Sequence, residues 1–405
     1  MTGTEPASVT HFRDFLKIRT EQPNPAYIEC AEFLVNQAKD IGLESKVVEP
    51  VKGKPVVILK LPGTNPSLKS VLLSCHTDVV PVFEEFWTYP PFAAERVPTD
   101  DGDFKIYARG AQDMKVTGSM YLEALRNIVN SGKKLSRNVY AVFAPDEEIG
   151  SQDGMETFVE TQDFRDLNVG FDLDESGSGM KGKYIFLYAE RTTNQVVFTT
   201  HGNTGHGSQF IEGTAIEKMM PIVNTILERR EANKKALHAI EADGSNIRSG
   251  EITSINLTEF NGGKQANVVP ATYSATFDIR VSPNDDLQHF REWLSKLAKE
   301  NGAEMKLLSP DEDRTITPVD RNNKFIDTFF TALNKRGIEP IPIVCPGATD
   351  ARYVRSKGVP AFGFCPMTNT PLLAHQHDEY VYESQYLSGI GIYTDLIAAL
   401  ANVEE

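Results

Sequence analysis

Apolar residues recur at helical spacing in VTHFRDFLKI, where Val9, Phe12, Phe15, Leu16 and Ile18 share one face. A second pattern of this kind runs from Tyr27 to Ile41, and Gly42 supplies its stop. The pattern then changes to short, nearly uniform apolar runs: PVVILKL, SVLLSC, VYAVFA and VGFDLD. Such runs suit parallel strands covered on both faces. Between the second and third lies AQDMKVTGSMYLEALRNIVNSG, which reads as a helix. Val116, Met120, Leu125 and Ile128 fall on one side of it, and Gly132 follows its end. Alternating elements predict an α/β layer fold with a mostly parallel sheet and helices on both faces.

The middle of the chain follows a different rhythm. Gln195–Thr200 alternates as a strand, Thr214–Arg230 is a helix pattern, and Glu251–Thr258 and Ala271–Val281 are strand-like. Leu287–Lys299 is a further helix and Ala303–Leu308 a short last strand. The order βαββαβ is the ferredoxin-like arrangement. The polar SPDEDR at Ser309–Arg314 reads as a linker, after which α/β alternation resumes. A helix near Asn323–Lys335, the strand VPAFGF and a helix over Glu383–Leu400 complete the chain. The expected organisation is one α/β domain in two parts, residues 1–190 and 312–405, interrupted by a smaller α+β insertion over 191–311.

A length of 405 residues fits two domains, because single cores stop growing near about 250–300 residues. The net charge of −15, with 41 Lys+Arg against 56 Asp+Glu, leaves no basic stripe and argues against nucleic acid as a partner. No run of about 18 apolar residues exists to span a membrane. The four cysteines, Cys30, Cys75, Cys345 and Cys365, show no C-x-x-C spacing, and their scarcity fits a reducing compartment. The N-terminus has no signal-peptide pattern, so a cytoplasmic protein is expected.

Metal-type side chains gather where the apolar runs stop. SVLLSC ends at His76 and Asp78, VYAVFA at Asp146, Glu147 and Glu148, and VGFDLD at Asp174 and Glu175. Asp113 opens the long helix just after RGAQ, and the segment after VPAFGF brings His375 and His377. Ligands bind at the carboxyl edge of parallel strands, so four segments deliver such groups to one edge. Any one of them suits a solvated turn; their coincidence does not. Two histidines with several carboxylates and no thiolate favour zinc over magnesium. Five ligands suit two cations sharing a bridging carboxylate, and the acids would otherwise repel one another. Glu147 and Glu148 are adjacent, so in an extended segment one faces away from the other and can stay free as a base. Asp78, two residues past His76, can hold the second ring nitrogen and set its tautomer.

Taken in order, SCHTDVVP, YARGAQDMK, FAPDEEIG, LDES and HQHDE resemble the di-zinc amidohydrolase family, which includes aminoacylases, carnosinase-type dipeptidases and succinyl-diaminopimelate desuccinylase. HTDVVPVF, EITSINLT and GATDARY are most similar to its aminoacylase branch, and the likeness covers nearly the whole chain. The resemblance implies a zinc-exopeptidase-like α/β domain with the insertion as a lid and dimerisation domain. It implies two Zn2+ per subunit, with Co2+ or Mn2+ as substitutes, and metal-activated hydrolysis of the amide bond of N-acyl-L-amino acids. His76 and Glu175 resemble ligands of one metal, Glu148 and His375 ligands of the other, and Asp113 the bridge. Glu147 resembles the general base and Asp78 the residue behind the histidine ligand. His206, in HGNTGHGS, resembles a lid histidine that reaches the active site of the other subunit in a homodimer. Asn267 and Arg280 match lid positions that hold substrate, and Arg352 the residue that pairs with the substrate carboxylate. Asn203 and Thr204 before Gly205–His206, and Ser176 after Glu175, depart from the family pattern without removing a ligand. His377 fits either a supporting role or solvent exposure. A metallo-dipeptidase or carboxypeptidase of the same family is the nearest alternative, and a catalytically silent metal- or peptide-binding protein a more distant one.

Overall fold

The computed structural model describes residues 4–180, 182–241, 247–310 and 316–404. The linker boundary expected at 311/312 lies outside the described residues. The chain divides into two compact units: Met1–Tyr188 with Thr317–Pro342 and Thr349–Glu405, and Ala189–Ile316 with Ile343–Ala348.

The chain opens with α1 (Ala7–Lys17), α2 (Tyr27–Ile41), β1 (Glu44–Val51), β2 (Lys54–Leu61) and β3 (Ser70–His76). It continues through β4 (Glu95–Pro98), β5 (Phe104–Tyr107), α3 (Lys115–Asn130) and β6 (Val139–Ala144). Short helices α4 (Met155–Phe158) and α5 (Gln162–Asp166) lead to β7 (Val169–Asp174) and β8 (Ile185–Glu190). The second unit holds β9 (Thr192–His201), β10 (Gly205–His206), α6 (Ala215–Ile240), β11 (Ser254–Gly262), β12 (Val268–Val269), β13 (Thr272–Val281), α7 (Leu287–Glu300) and β14 (Ala303–Pro310). Last come α8 (Lys324–Asn334), β15 (Ile341–Cys345), α9 (Ala351–Ser356), β16 (Ala361–Gly363), β17 (Tyr380–Tyr382) and α10 (Glu383–Leu400).

The main sheet has the order β1-β2-β6-β3-β7-β16-β8-β15. Its centre, β6-β3-β7-β16, is parallel. The run PVVILKL departs from the parallel expectation, because β2 lies antiparallel to both β1 and β6. Val51 pairs with Lys54, so only Lys52 and Gly53 connect β1 to β2. Gly53 takes φ +77°, and so short a connection can only reverse the chain. The central strands are buried throughout, and alternate residues feed different cores. Val71, Leu73, Cys75 and Phe143 pack with α1, α2, α3 and α10, whereas Leu72, Val142 and Ala144 pack with Phe158, Phe164 and Val354. Helix α3 lies close on β3: a Cβ on Gly118 would stand 2.6 Å from Cys75 Sγ.

The second unit sorts β9, β11, β13 and β14 into an antiparallel sheet of order β11-β13-β9-β14. With α6 after β9 and α7 after β13, this is the ferredoxin-like arrangement. Val196, Phe198, Phe277 and Ile279 form its core with Ile222, Ile226, Phe290 and Leu294 of the two helices. β10 and β12 pair separately, with His206 opposite Val268.

Candidate metal centre

The centre begins where β3 stops. His76 is the last residue of β3 and pairs with Ala144, the last of β6, so both strands release their chains at the same level. The ring is buried, at 1% exposure. Its Nδ1 lies 3.0 Å from the backbone carbonyl oxygen of Asp78. That carbonyl accepts the Nδ1 proton and leaves Nε2 as the free ligand atom. Nε2 faces Asp113 Oδ1 at 3.0 Å and Glu175 Oε2 at 3.7 Å.

Asp113 faces both ways. Its second oxygen, Oδ2, lies 3.1 Å from His375 Nε2, which is also 3.0 Å from Glu148 Oε2. One carboxylate thus stands between two imidazoles with a separate oxygen for each. Two sets of ligand atoms close enough to hold an ion occur among the described residues, His76–Asp113–Glu148 and His76–Glu147–Glu175. The Asp113–Met114 peptide is cis.

Glu147 and Glu148 sit in a tight 3-10 turn over Glu147–Ile149, not in the extended segment that the sequence suggests. Asp146, at φ +66°, turns the chain out of β6. It is held by Lys54 Nζ at 2.6 Å, Tyr27 Oη at 2.5 Å and Gln22 Nε2 at 3.0 Å. The Asp78 carboxylate does less for His76 than expected: its nearer oxygen is 3.6 Å from Nδ1. It accepts instead from Glu147 N at 3.0 Å, Glu148 N at 3.2 Å and Gln22 Nε2 at 2.9 Å. Asp78 therefore fixes the turn that carries both glutamates.

The electrostatics describe a site short of positive charge. Burial pushes the carboxyls of Glu147, Glu148 and Glu175 above their ordinary range; Glu175 pushes Glu147 further, and Asp113 does so for Glu148 and Glu175. Burial also disfavours the Asp113 carboxylate, but His375 and His76 win and hold it below its usual value. Asp113 and Glu148 raise His375 to about 10. Although burial alone would lower His76, Glu175 and Asp113 raise it well above the ordinary imidazole value. Glu148 Oε1 is buried with no hydrogen-bond partner among the described residues. Four carboxyls, one of them with an orphaned oxygen, and two imidazoles form a donor set that fits divalent cations of the borderline-soft kind.

The remaining candidates make other contacts. Arg352, in the first unit, stacks on Tyr353 with its guanidinium 4.6 Å from the ring centre. His377 is exposed, its ring centre 5.3 Å from that of Phe86. Within the second unit, His206 and Asn267 are exposed on neighbouring segments, with Gly207 N donating to Asn267 O at 2.8 Å. His206 Nδ1 is 2.8 Å from Ser208 Oγ. Arg280 is occupied by Asp278, at 2.9 and 3.2 Å, and by Thr193 Oγ1 at 3.0 Å. Gln22, Tyr27, Gln112 and Glu379 support the centre without being singled out by the sequence, where they read as ordinary polar and loop positions.

The profile described as peptidase family M20/M25/M40 matches residues 72–399. Aminoacylase-1A of Rattus norvegicus is 42% identical over 402 residues, covering 99% of this chain and 97% of that protein. An M20 family metallo-carboxypeptidase of Sulfolobus solfataricus shares the fold with a TM-score of 0.74 at 21% identity, over 98% of this chain and 99% of that one. A dinuclear metal-binding peptidase of Bacillus subtilis shares it at 0.69 and 15% identity, over 98% of this chain and 99% of that one.

Proposed function

The chain belongs to peptidase family M20/M25/M40, and from that premise we propose that it is a metal-dependent aminoacylase, which hydrolyses N-acyl-L-amino acids to a carboxylate and a free amino acid. The observation that carries this is the 42% identity to aminoacylase-1A over nearly the whole of both chains. Five residues would hold two Zn2+: His76 and Glu175 at one position, Glu148 and His375 at the other, with Asp113 shared. The separate contacts of Asp113 Oδ1 and Oδ2 with the two imidazoles support the sharing. When bound, the cations lower the pKa of water toward neutrality and polarise the amide carbonyl.

The chain's own groups do the rest. Glu147 takes the proton of the attacking water on a carboxylate oxygen and returns it to the departing amine. Burial, which raises this carboxyl, favours a base that holds the proton long enough to return it. The Asp78 carboxylate keeps Glu147 in place by accepting from the Glu147 backbone N–H. Arg352 binds the substrate carboxylate, since a guanidinium fork matches that group in two parallel hydrogen bonds; Arg280, whose fork is taken by Asp278, would have to exchange that partner to do the same. Asn267 holds substrate, and His206, reaching the active site of the other subunit, stabilises the oxyanion. Aminoacylase and dipeptidase would both need this centre, so substrate choice separates them. A homodimer in the cytoplasm completes the proposal.

The test is a hydrolysis panel of N-acetyl-methionine, other N-acyl amino acids and simple dipeptides, with and without chelator. N-acyl amino acids should be cleaved and chelation should abolish the reaction. Dipeptides cleaved in preference to acylated amino acids would overturn the assignment. In the same panel, Glu147→Gln should keep its metal while kcat falls about 10²–10⁴-fold.

A further inference from the structure

The segment HQHDE gives His375 to the centre, but its most deeply buried charge is Glu379, at 0% exposure. This carboxylate is surrounded by donors from one short stretch, Arg109 to Asp113. Oε2 accepts from Arg109 Nη1 at 2.5 Å and from Gly110 N at 3.3 Å. Oε1 accepts from Gln112 N at 2.5 Å and, at 3.4 Å, from Asp113 N. Three backbone N–H groups and a guanidinium therefore converge on a single side chain.

The connection is returned in the opposite direction. Gln112 Nε2 donates to Pro371 O at 2.9 Å and Tyr380 O at 2.8 Å, and Gln112 Oε1 accepts from Leu373 N at 2.9 Å. Each segment thus sends one side chain into the backbone of the other. Asp113 is the next residue after Gln112, and His375 lies between Leu373 and Glu379. No strand pairing joins the two ligands directly; Asp113 sits in a turn before α3 and His375 in the loop before β17. The pairing of β5 with β17 brings the two segments together as far as Tyr107 and Tyr380, with Ala108 N donating to Glu379 O at 3.1 Å, and the crossed bonds carry the connection on to the 3.1 Å contact of the ligands.

We propose that Glu379 is a positioning residue that, paired with Gln112, sets the shared carboxylate of Asp113 against His375. The inference rests on the two-metal reading above. It assigns Glu379 no contact with substrate or metal. A shared carboxylate must aim each oxygen at a different cation, so a small rotation of Asp113 weakens one site more than the other. Partners behind metal ligands commonly carry about 10–100-fold in metal affinity.

The test uses the full-length protein, stripped with chelator and titrated with Co2+, read by metal content and by the visible cobalt spectrum. The parent should bind two cations. Glu379→Gln keeps the shape but faces an amide NH2 toward Arg109 and Gly110 N, two donors that need an acceptor. It should leave the first cation bound as in the parent, weaken the second about 10–100-fold and alter the cobalt spectrum. A protein that folds and binds both cations with parental affinities would overturn the inference alone. So would equal weakening of both, which is what a general loosening of the fold gives. A parent without any bound cation overturns the metal reading, and this inference with it. Should Glu379→Gln fail to fold, Gln112→Leu removes the opposite half of the clamp and must show the same selective loss; parental binding of both cations there overturns the inference.

Discussion

Asp350 shows what burial does to an acid with too few partners. One oxygen accepts from the Ser151 hydroxyl, and the other has no hydrogen-bond partner among the described residues. Burial, then Asp174, raises this carboxyl to about 7, against the opposing pull of Ser151, His76 and Arg352. The folded chain therefore binds a proton here that the unfolded chain has released by about pH 4. Stability from this group is complete below pH 4 and is lost as pH rises through about 7. Asp350→Asn should melt close to the parent at pH 4.5 and above it at pH 8, by a few kcal/mol at about 1.4 kcal/mol per unit. Thermal melts across that range check it; equal differences at both ends would show that the carboxyl is not strained. Sequence shows residue types at strand ends, where His76, Glu148 and Glu175 stand among Asp78, Asp146, Glu147 and Asp174; the family resemblance is what picks them out, with Asp113 and His375, as ligands. It does not show which oxygen turns where. The imidazole of His76 bonds the main chain of Asp78, while the Asp78 carboxylate serves the turn at Glu147. Burial of Glu379 was equally hidden, since a glutamate in a loop ordinarily faces water.

Helix α3 shows why element packing sets the centre. The apolar stripe Val116, Met120, Leu125 and Ile128 predicts one buried face, yet its first two turns are buried all round. Gly118 makes this possible, because its missing side chain lets β3 approach. Alanine there would gain about 1 kcal/mol of helix propensity. The added carbon would meet Cys75 Sγ at 2.6 Å and Phe143 Cε1 at 2.9 Å, both buried. Overpacking a rigid core costs about 1–3 kcal/mol, so the clash wins. Gly118→Ala should lower the melting temperature and weaken metal binding, because pushing α3 off β3 separates Asp113 from His76. A melting temperature at or above that of the parent would show that the helix has room. Elements were legible where period and burial agreed, as in α2, α10 and the central strands. PVVILKL failed on direction because an apolar run carries none. The turn before it, KGK, held that information. The helix read as Thr214–Arg230 extends to Ile240 because its last turns have no apolar face to mark them; its buried residues stop at Ile226.

At the scale of the molecule, the inserted βαββαβ order was readable because each element kept a clean period and the sheet order follows from it. What the second unit does is written less plainly. Both metal-type groupings among the described residues fall in the first unit. His206 and Asn267 are held on the paired β10 and β12, exposed, with His206 Nδ1 fixed by Ser208. An exposed histidine with one nitrogen already fixed presents its other nitrogen outward. In the proposed homodimer that group serves the partner's centre, and each active site then draws on two chains. Co-expressing His206→Ala with Asp113→Ala tests this. Either variant alone should be nearly inactive. A mixed dimer would pair the intact metal ligands of one chain with the intact histidine of the other. Random pairing makes about half the dimers mixed, each with one complete site, so about one quarter of parental activity should return. Activity that stays at the level of the single variants would mean that His206 acts within its own chain or not at all, and the lid would then be a cover and not a donor.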